Sequence, residues 1–270
     1  MDTANGTAVV AFDAFFNGKV EIDGPRPFHM IKKADGKWYM QGDWYIADVE
    51  VETRAEYRFE NTNTATIKTG LRINIEDRGG RGITKAVVTG AGLPSGGVTL
   101  INNIAWDQFQ IEGQNSGDFY AMTDGQIAAI ADSGEAYTVK LYIGDTLAAT
   151  YTEKLTKRPY LNTELTAAMF PAITSPTMTE MRAFTGGSGT VSWTLPAGLD
   201  NGWLSVGLND HFGNSAIAEF SPAPADRSKT FTLNPETSTG EAFTPTSGWI
   251  WLMAHDSYDR TFGTGINVWW

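Results

Sequence analysis

The sequence predicts an all-β protein in which two antiparallel β-sandwiches follow an additional N-terminal β segment. Runs of alternating apolar and polar residues recur along all 270 residues, Gly, Asn, Asp and Pro separate these runs, and helical periodicity is nearly absent. A sandwich needs roughly 100 residues, so a chain of this length accommodates two. We therefore expect the N-terminal segment and first sandwich in residues 1–159, and a linker and second sandwich in residues 160–270.

The N-terminal segment is expected to contribute strands at residues 8–16, 38–45 and 47–59. In the third of these, Asp48, Glu50 and Glu52 alternate with Val49 and Val51, so the acidic and apolar side chains point to opposite faces. We interpret the acidic row as a solvated strand face rather than as a catalytic pair of carboxylates.

The first sandwich is expected to contain strands at residues 67–75, 84–88, 98–100, 108–112, 137–143 and 147–155. A short helix is predicted over residues 123–131, with Asp124 as its N-cap. The segment from Asp132 to Tyr137 resembles, with one extra residue, the approach to the tyrosine corner of immunoglobulin-like domains. That resemblance implies an Ig-like fold for this sandwich.

Residues 161–178 lack alternation and contain Pro171 and Pro176, so they are interpreted as a linker or a loosely packed first strand. Strands of the second sandwich are expected at residues 190–195, 203–208, 215–220, 230–233, 249–254 and 265–270. Residues 191–196 resemble the second strand of a fibronectin type III module, and residues 248–268 resemble its last hairpin. Residues 88–94 and the Trp-rich end are similar to pieces of modular bacterial surface proteins. These resemblances imply a fold and no chemistry.

Composition excludes several kinds of partner. The chain has 31 acidic and 20 basic residues and a net charge of -11, which repels nucleic acid and anionic lipid. It has no Cys, so thiol nucleophiles and thiolate metal sites are excluded, and no cofactor is expected. The apolar run at residues 8–16 contains Asp13 and is neither a signal peptide nor a membrane span. From its Thr-, Gly-, Asn- and Trp-rich composition we expect an extracellular or periplasmic protein whose signal peptide has been removed.

The sequence contains none of the common catalytic signatures, so we expect no enzyme activity. His211 and His255 each adjoin a carboxylate and could together suggest a metal site. The predicted antiparallel pairing of their strands places them at opposite ends of the second sandwich, so no metal is expected there. Asp256 and Asp259 are weak candidates for calcium ligands, with loop solvation as the alternative.

Aromatic residues are the remaining candidates for a ligand site. Alternation places Trp249 and Trp251 on one face of their strand, together with Met253. If the other face forms the core, the two rings stand outside and can stack on sugar or on a partner. Because large aromatics are usually buried, we favour the core for at least one of them, with Trp251 preferred. The remaining candidates of this kind are Trp38, Trp44 and Trp269.

These observations favour a non-catalytic, extracytoplasmic surface or secreted module with a structural or protein-interaction role. Two alternatives stay open: a carbohydrate-binding module that uses exposed aromatics, and an accessory region of a secreted enzyme. The partner is expected to be a protein or a glycan at the cell surface, and the oligomeric state is left open.

Overall fold

The structure is a computed structural model, and the fold that it shows is all-β, as predicted. It describes residues 6–12, 15–16, 19–20, 26–42, 45–77, 80–103, 108–114, 117–235 and 243–270. Among these, no helix is both long enough and apolar enough to cross a lipid bilayer.

Every strand predicted from the sequence has an observed counterpart, but three observed strands, at residues 19–20, 26–32 and 119–121, were not predicted. The N-terminal part contains β1 (Thr7–Phe12), β2 (Phe15–Phe16), β3 (Lys19–Val20), β4 (Arg26–Lys32) and β5 (Trp38–Gly42). The middle part contains β6 (Ala47–Glu60), β7 (Ala65–Asp77), β8 (Lys85–Thr89), β9 (Val98–Asn103), β10 (Gln108–Ile111), β11 (Phe119–Ala121), β12 (Ala136–Ile143) and β13 (Thr146–Lys154). The last part contains β14 (Ala172–Ser175), β15 (Gly187–Thr194), β16 (Asp200–Asp210), β17 (Ser215–Phe220), β18 (Ser228–Leu233), β19 (Pro245–His255) and β20 (Thr261–Trp269).

The first sandwich packs a five-stranded sheet, in the order β10-β9-β8-β12-β13, against β6 and β7. Alternation in β6 directs Val49 and Val51 into this core, where they meet Leu71 and Ile73 of β7. The acidic side chains of β6 therefore point to the opposite face, as the sequence predicts. Tyr137 is fully buried, and its hydroxyl donates a hydrogen bond to the carbonyl of Ala91, 2.8 Å away. This bond reaches the loop after β8, whereas a tyrosine corner bonds to backbone a few residues upstream.

The second sandwich packs a three-stranded sheet, in the order β14-β15-β18, against β16, β19 and β20. Its core contains Trp193 and Phe231 from the small sheet and Val206, Ile250 and Val268 from the large one. The Trp193 indole donates a hydrogen bond to the side chain of Asn201, 2.9 Å away. That bond satisfies the one polar atom of a side chain only 2 % exposed.

One continuous sheet serves both sandwiches. Its order is β11-β7-β6-β20-β19-β16-β17, and the junction is the parallel pairing of β20 with β6, with Thr261 opposite Arg54 and Asn267 opposite Glu60. A small apolar cluster, which includes Phe170 and Phe262, fills the space between the two main cores. The two sandwiches thus share backbone hydrogen bonds. The domain boundary near residue 160 stays a prediction.

Residues just before that boundary pack on the hairpin between β19 and β20. The guanidinium carbon of Arg260 lies 3.9 Å from the centre of the Tyr160 ring. Nη2 of Arg260 donates a hydrogen bond to the hydroxyl of Tyr160, 2.7 Å away. Thr156 donates a hydrogen bond to the carbonyl of Tyr258. These contacts hold the connecting segment against the second half of the shared sheet.

The helices are short. The first, α1 (Asp124–Ala128), has Thr123 as its N-cap, so the expectation that Asp124 caps it is wrong by one residue. The second, α2 (Met178–Ala183), begins after Thr177, which forms a capping box with Glu180. Helix α2 was not predicted, because the segment before it contains prolines and lacks any regular alternation. That segment forms two short 3-10 helices, Asn162–Glu164 and Ala167–Met169, and then β14.

The N-terminal strands form a separate three-stranded antiparallel sheet, in the order β1-β4-β5. Apolar side chains of this sheet are exposed, with Val9 at 55 % and Met40 at 57 %. Trp38 lies half-buried on β5, opposite Lys32. Trp44, the other candidate of this region, lies outside the described residues.

Candidate functional site: a groove on the outer face of the shared sheet

The outer face of the seven-stranded sheet, opposite the two cores, carries the tryptophans of β19. Ile250, Leu252 and Ala254 are each 0 % exposed and belong to the core side, so alternation places Trp249 and Trp251 on the outer face, where both are half-buried. The expectation that at least one of them lies in the core is therefore wrong. The physical reason is that a strand with apolar residues on both faces can bury either one, and here the aliphatic face fits between the sheets.

Glycines on the flanking strands make room for the two rings. Gly265 of β20 pairs with Trp251, and a Cβ placed on Gly265 would lie 2.8 Å from two atoms of the indole six-membered ring. Gly207 of β16 pairs with Trp249, and a Cβ placed there would collide with that ring. The rings therefore lie across neighbouring backbone in opposite directions, Trp249 over β16 and Trp251 over β20.

A row of charged residues on β6 runs beside Trp251. Nε of Arg54 is 3.2 Å from Oε1 of Glu56, and Nη2 of Arg58 is 2.6 Å from Oε2 of the same carboxylate. Glu56 is only 1 % exposed and Arg54 is 7 % exposed. A buried carboxylate needs such opposite charges to offset its lost hydration. The row is therefore a fixed ion-pair cluster on a face that is otherwise directed away from the cores.

The arginines of this row also contact the aromatic ring. The guanidinium carbon of Arg58 lies 4.8 Å from the centre of the Trp251 ring, and that of Arg54 lies 6.0 Å away. Both distances are within the range of cation–π attraction. Nη2 of Arg54 also lies 3.5 Å from the sulfur of Met253. Trp251, Met253 and the arginines thus form a compact mixed surface.

This surface is one part of a groove of about 1190 Å³ that crosses the outer face. At one end lie Trp203 and Trp251, and at the other lie Arg72, Asn74 and several residues from the edge of the first sandwich, among them Gln108, Gln114 and Asp118. The charged side chains lining it are four basic and five acidic residues: Arg54, Arg58, Lys68, Arg72, Glu56, Glu60, Glu76, Asp77 and Asp118. The charges are nearly balanced, so the groove favours neither a strongly anionic nor a strongly cationic ligand.

Arg72 organises the charged end of the groove. Its Nε lies 2.7 Å from Oδ2 of Asp118, and its Nη1 lies 3.4 Å from Glu50 and 3.5 Å from Glu52. Burial of the guanidinium lowers its pKa, but these three carboxylates outweigh that effect, so the pKa of Arg72 is raised above its usual value. The arginine stays charged, and its carboxylate partners fix its position.

Trp203 was not among the residues proposed from the sequence. It lies half-buried on β16, and the same alternation that buries Leu204, Val206 and Leu208 places it on the outer face. The sequence carried a signal for this position. Alternation places Trp203 on the same face of its strand as Gly207, and a tryptophan and a glycine also meet on this face where Trp251 pairs with Gly265. Trp269 also lies on the outer face, 49 % exposed, but it does not line the groove.

The two candidate histidines lie far apart. The predicted antiparallel pairing of β16 with β19 is confirmed, with Asp200 opposite His255 and Asp210 opposite Pro245. His211 follows Asp210, so the two rings are separated by roughly 30 Å along the strands. His255 instead lies 3.1 Å from the hydroxyl of Thr261, its partner in the β19–β20 hairpin.

The two calcium candidates lie in the β19–β20 turn. Oδ1 of Asp256 accepts backbone hydrogen bonds from Tyr258 and Arg260, and Oδ2 accepts one from the Arg260 side chain at 2.8 Å. Asp259 occupies a turn position with φ of 58°. A cation at Asp256 would have to displace Arg260. Over the described part of the chain, no group of three or more His, Cys, Asp and Glu side chains has the arrangement of a metal site.

Comparisons with known proteins add little to this geometry. No protein-family model matches the chain, and no curated protein sequence matches it. A crystal structure of the selenomethionine-substituted chicken interferon gamma receptor alpha chain is similar with a TM-score of 0.22 and 11 % identity, over 82 % of this chain and 96 % of that chain. A TM-score this low carries no argument about fold or function. What the chain binds must therefore be argued from the groove itself.

Proposed function

We propose that this chain is a non-catalytic binding module that holds a glycan in the outer-face groove. The observation that carries the proposal is the composition of that groove, in which tryptophan rings lie beside a row of fixed charged and amide side chains. From the sequence alone, glycan binding is an alternative to a structural or protein-interaction role. The position of the tryptophans on the outer face favours glycan binding.

A sugar ring has an apolar face of C–H groups and a rim of hydroxyls, so its binding site needs two kinds of contact. Aromatic rings supply the apolar contact, and Trp203 and Trp251 lie at one end of the groove. Carboxylates, amides and guanidinium groups supply acceptors and donors for hydroxyls, and Asn74, Glu76 and Gln114 line the other end. Concave sites with a few fixed polar groups are the usual form of small-ligand sites.

Charge disfavours the main competing ligands. The net charge of -11 repels the phosphates of nucleic acids, and the groove adds no excess of positive charge to overcome that repulsion. An uncharged polyol meets no such barrier. A location outside the cytoplasm, where glycans are abundant, belongs to the same proposal.

The test is a glycan array followed by calorimetric titration of the best ligands. Trp203→Ala should lower affinity for the ligand about tenfold or more, because it removes an aromatic contact from the groove. Trp269→Ala is a matched control, since it removes an outer-face tryptophan that does not line the groove. If the two variants lose affinity equally, the site lies elsewhere. Release of new reducing ends from a bound glycan would contradict the non-catalytic part of the proposal.

A second candidate function is a protein contact through the N-terminal sheet. Val9, Val10 and Met40 are exposed there. Among the described strands, β1 pairs only with β4, so its other edge is open. An exposed apolar edge of this kind is a template for addition of a further strand. Light scattering tests whether copies of the chain associate through it: Val10→Lys should disperse any assembly, and an assembly that persists would contradict this role.

A further inference from the structure

We infer that the groove binds a neutral linear glycan, which runs obliquely across the strands and contacts the sheet with about five sugar units. This inference rests on the proposed glycan-binding function. It adds the length, direction and charge of the ligand.

The length follows from which strands line the groove. Lining residues come from β7, β6, β20, β19 and β16, which are consecutive neighbours in the sheet; among them are Arg72, Arg58, Asn267, Trp251 and Trp203. Three spacings of about 4.8 Å separate β19 from β7, which is roughly 14 Å across the strands. The pairing sets Trp251 level with Thr66 of β7 through Gly265 and Arg58, and Arg72 lies six residues further along β7, roughly 20 Å along the strands. The diagonal from Trp251 to Arg72 is therefore roughly 24 Å, and since a sugar unit in an extended chain advances by about one inter-strand spacing, roughly five units fit.

The direction follows from the different chemistry of the two ends. Trp203 and Trp251 form an aromatic end, while Arg72 and Asn74 form a hydrogen-bonding end three or four strands away. A single sugar cannot contact both ends. A chain that crosses the strands obliquely reaches both, with sugars stacked at one end and bonded through hydroxyls at the other.

The charge of the ligand follows from the arginines. Arg54 and Arg58 are both paired with Glu56, and Arg72 is paired with Asp118. A ligand carboxylate or sulfate would have to compete with these protein carboxylates for the guanidinium groups, while Glu60, Glu76 and Asp77 would repel it. Hydroxyl groups can use the remaining donors and acceptors without breaking an ion pair.

The experiment is calorimetric titration with ladders of β-1,4-linked glucose, xylose and mannose oligosaccharides, from two to six units, together with uronic acid ladders of the same lengths. Affinity for at least one neutral ladder should rise by about tenfold or more from two to five units and change little from five to six. Asn74→Ala should weaken binding of the longer oligosaccharides and leave binding of the shortest unchanged. Trp203→Ala should weaken binding of all of them, and Trp269→Ala should affect none.

The outcomes separate this inference from the function on which it rests. Equal affinity for two and six units, or tighter binding of the uronic acid ladder, would overturn the inference while leaving glycan binding intact. Loss of the shortest ligand on Asn74→Ala would also overturn it, since the polar end would then be the primary site. Absence of binding to every ladder and to the array would overturn both.

Discussion

The guanidinium of Arg58 lies over the indole ring of Trp251, with its central carbon 4.8 Å from the ring centre. Arg58 belongs to β6 and Trp251 to β19, and these strands are not neighbours. They meet across β20, where Gly265 pairs with both residues and has no side chain to separate them. The contact therefore joins the middle and last parts of the chain on the outer face of the shared sheet.

The first prediction concerns the stability contributed by Trp251. Trp251→Ala should lower the free energy of unfolding by about 2.5 kcal/mol, since half of an aromatic surface of roughly 200 Å² loses its contacts at about 25 cal/mol per Å². Ile250→Ala, in the adjacent fully buried position, should cost about 2–5 kcal/mol. Urea unfolding measures both. A larger loss for the tryptophan variant would mean that the ring is packed as core.

The second prediction tests the glycine beneath the other ring. Gly207→Ala should destabilise the protein by about 1–3 kcal/mol, because the new Cβ occupies the space of the Trp249 ring and forces it to move. Gly96→Ala is the control, since a Cβ there meets no atom within 4 Å. If thermal melts show both variants to be as stable as the parent, the ring of Trp249 is not held against β16.

The third prediction concerns the last strand. A chain that ends at Arg260 lacks β20, so β6 and β19 lose their shared partner and two unpaired edges appear inside the sheet. Such edges pair with other chains, and we expect aggregation or loss of cooperative unfolding. A chain that lacks only Trp270 keeps β20 and should behave as the parent. Size-exclusion chromatography with light scattering distinguishes the two, and a monomeric, cooperatively melting chain ending at Arg260 would contradict the role of β20.

The fourth prediction is a pH dependence at the segment that connects the sandwiches. Hydrogen bonds from the side chain and backbone of Asn162, and from Thr163, hold the pKa of Asp124 below its usual value. Because the pKa is depressed in the folded state, the stabilisation is fully present above the unfolded value of about 3.9 and is lost as the pH falls through the folded pKa.

Melting temperature as a function of pH tests this dependence. Asp124→Asn should melt below the parent at neutral pH, and the difference should shrink at pH values below about 4. Asn162→Ala removes the side-chain donor to Asp124 but keeps the backbone N–H of residue 162, so it should reduce the same pH dependence in part. A difference that grows on acidification would contradict the depressed pKa.

Local pattern predicted most strands but not which strands pair at long range. Alternation in β6 and β19 identified both strands and the two faces of each, because the side-chain period of a strand is two wherever it pairs. The same alternation does not reveal that β20 lies between β6 and β19, since a parallel partner about 200 residues away leaves no local signature.

The candidate site was only partly predictable, because local pattern does not reveal what packs against a strand. Sequence identified Trp249 and Trp251 as sharing a face but could not choose which face is buried, because both are apolar. The choice depends on what the opposite sheet offers, and here Val191 and Phe231 complement the aliphatic side. Trp203 was missed although its strand was identified, since a single tryptophan at a strand's start suggests packing as readily as binding.

The parallel pairing of β20 with β6 has a consequence for synthesis of the chain. On the ribosome, β6 and β7 emerge well before β20, and the first sandwich can begin to fold while the edge of β6 still lacks residues 261–269, about 200 residues later in the chain. Throughout that interval the nascent chain presents an open strand edge with the Arg54–Glu56–Arg58 row beside it. Charged residues along an edge discourage pairing with other chains. The ion pairs that line the groove in the folded protein thus also discourage the partly synthesised chain from associating with other chains.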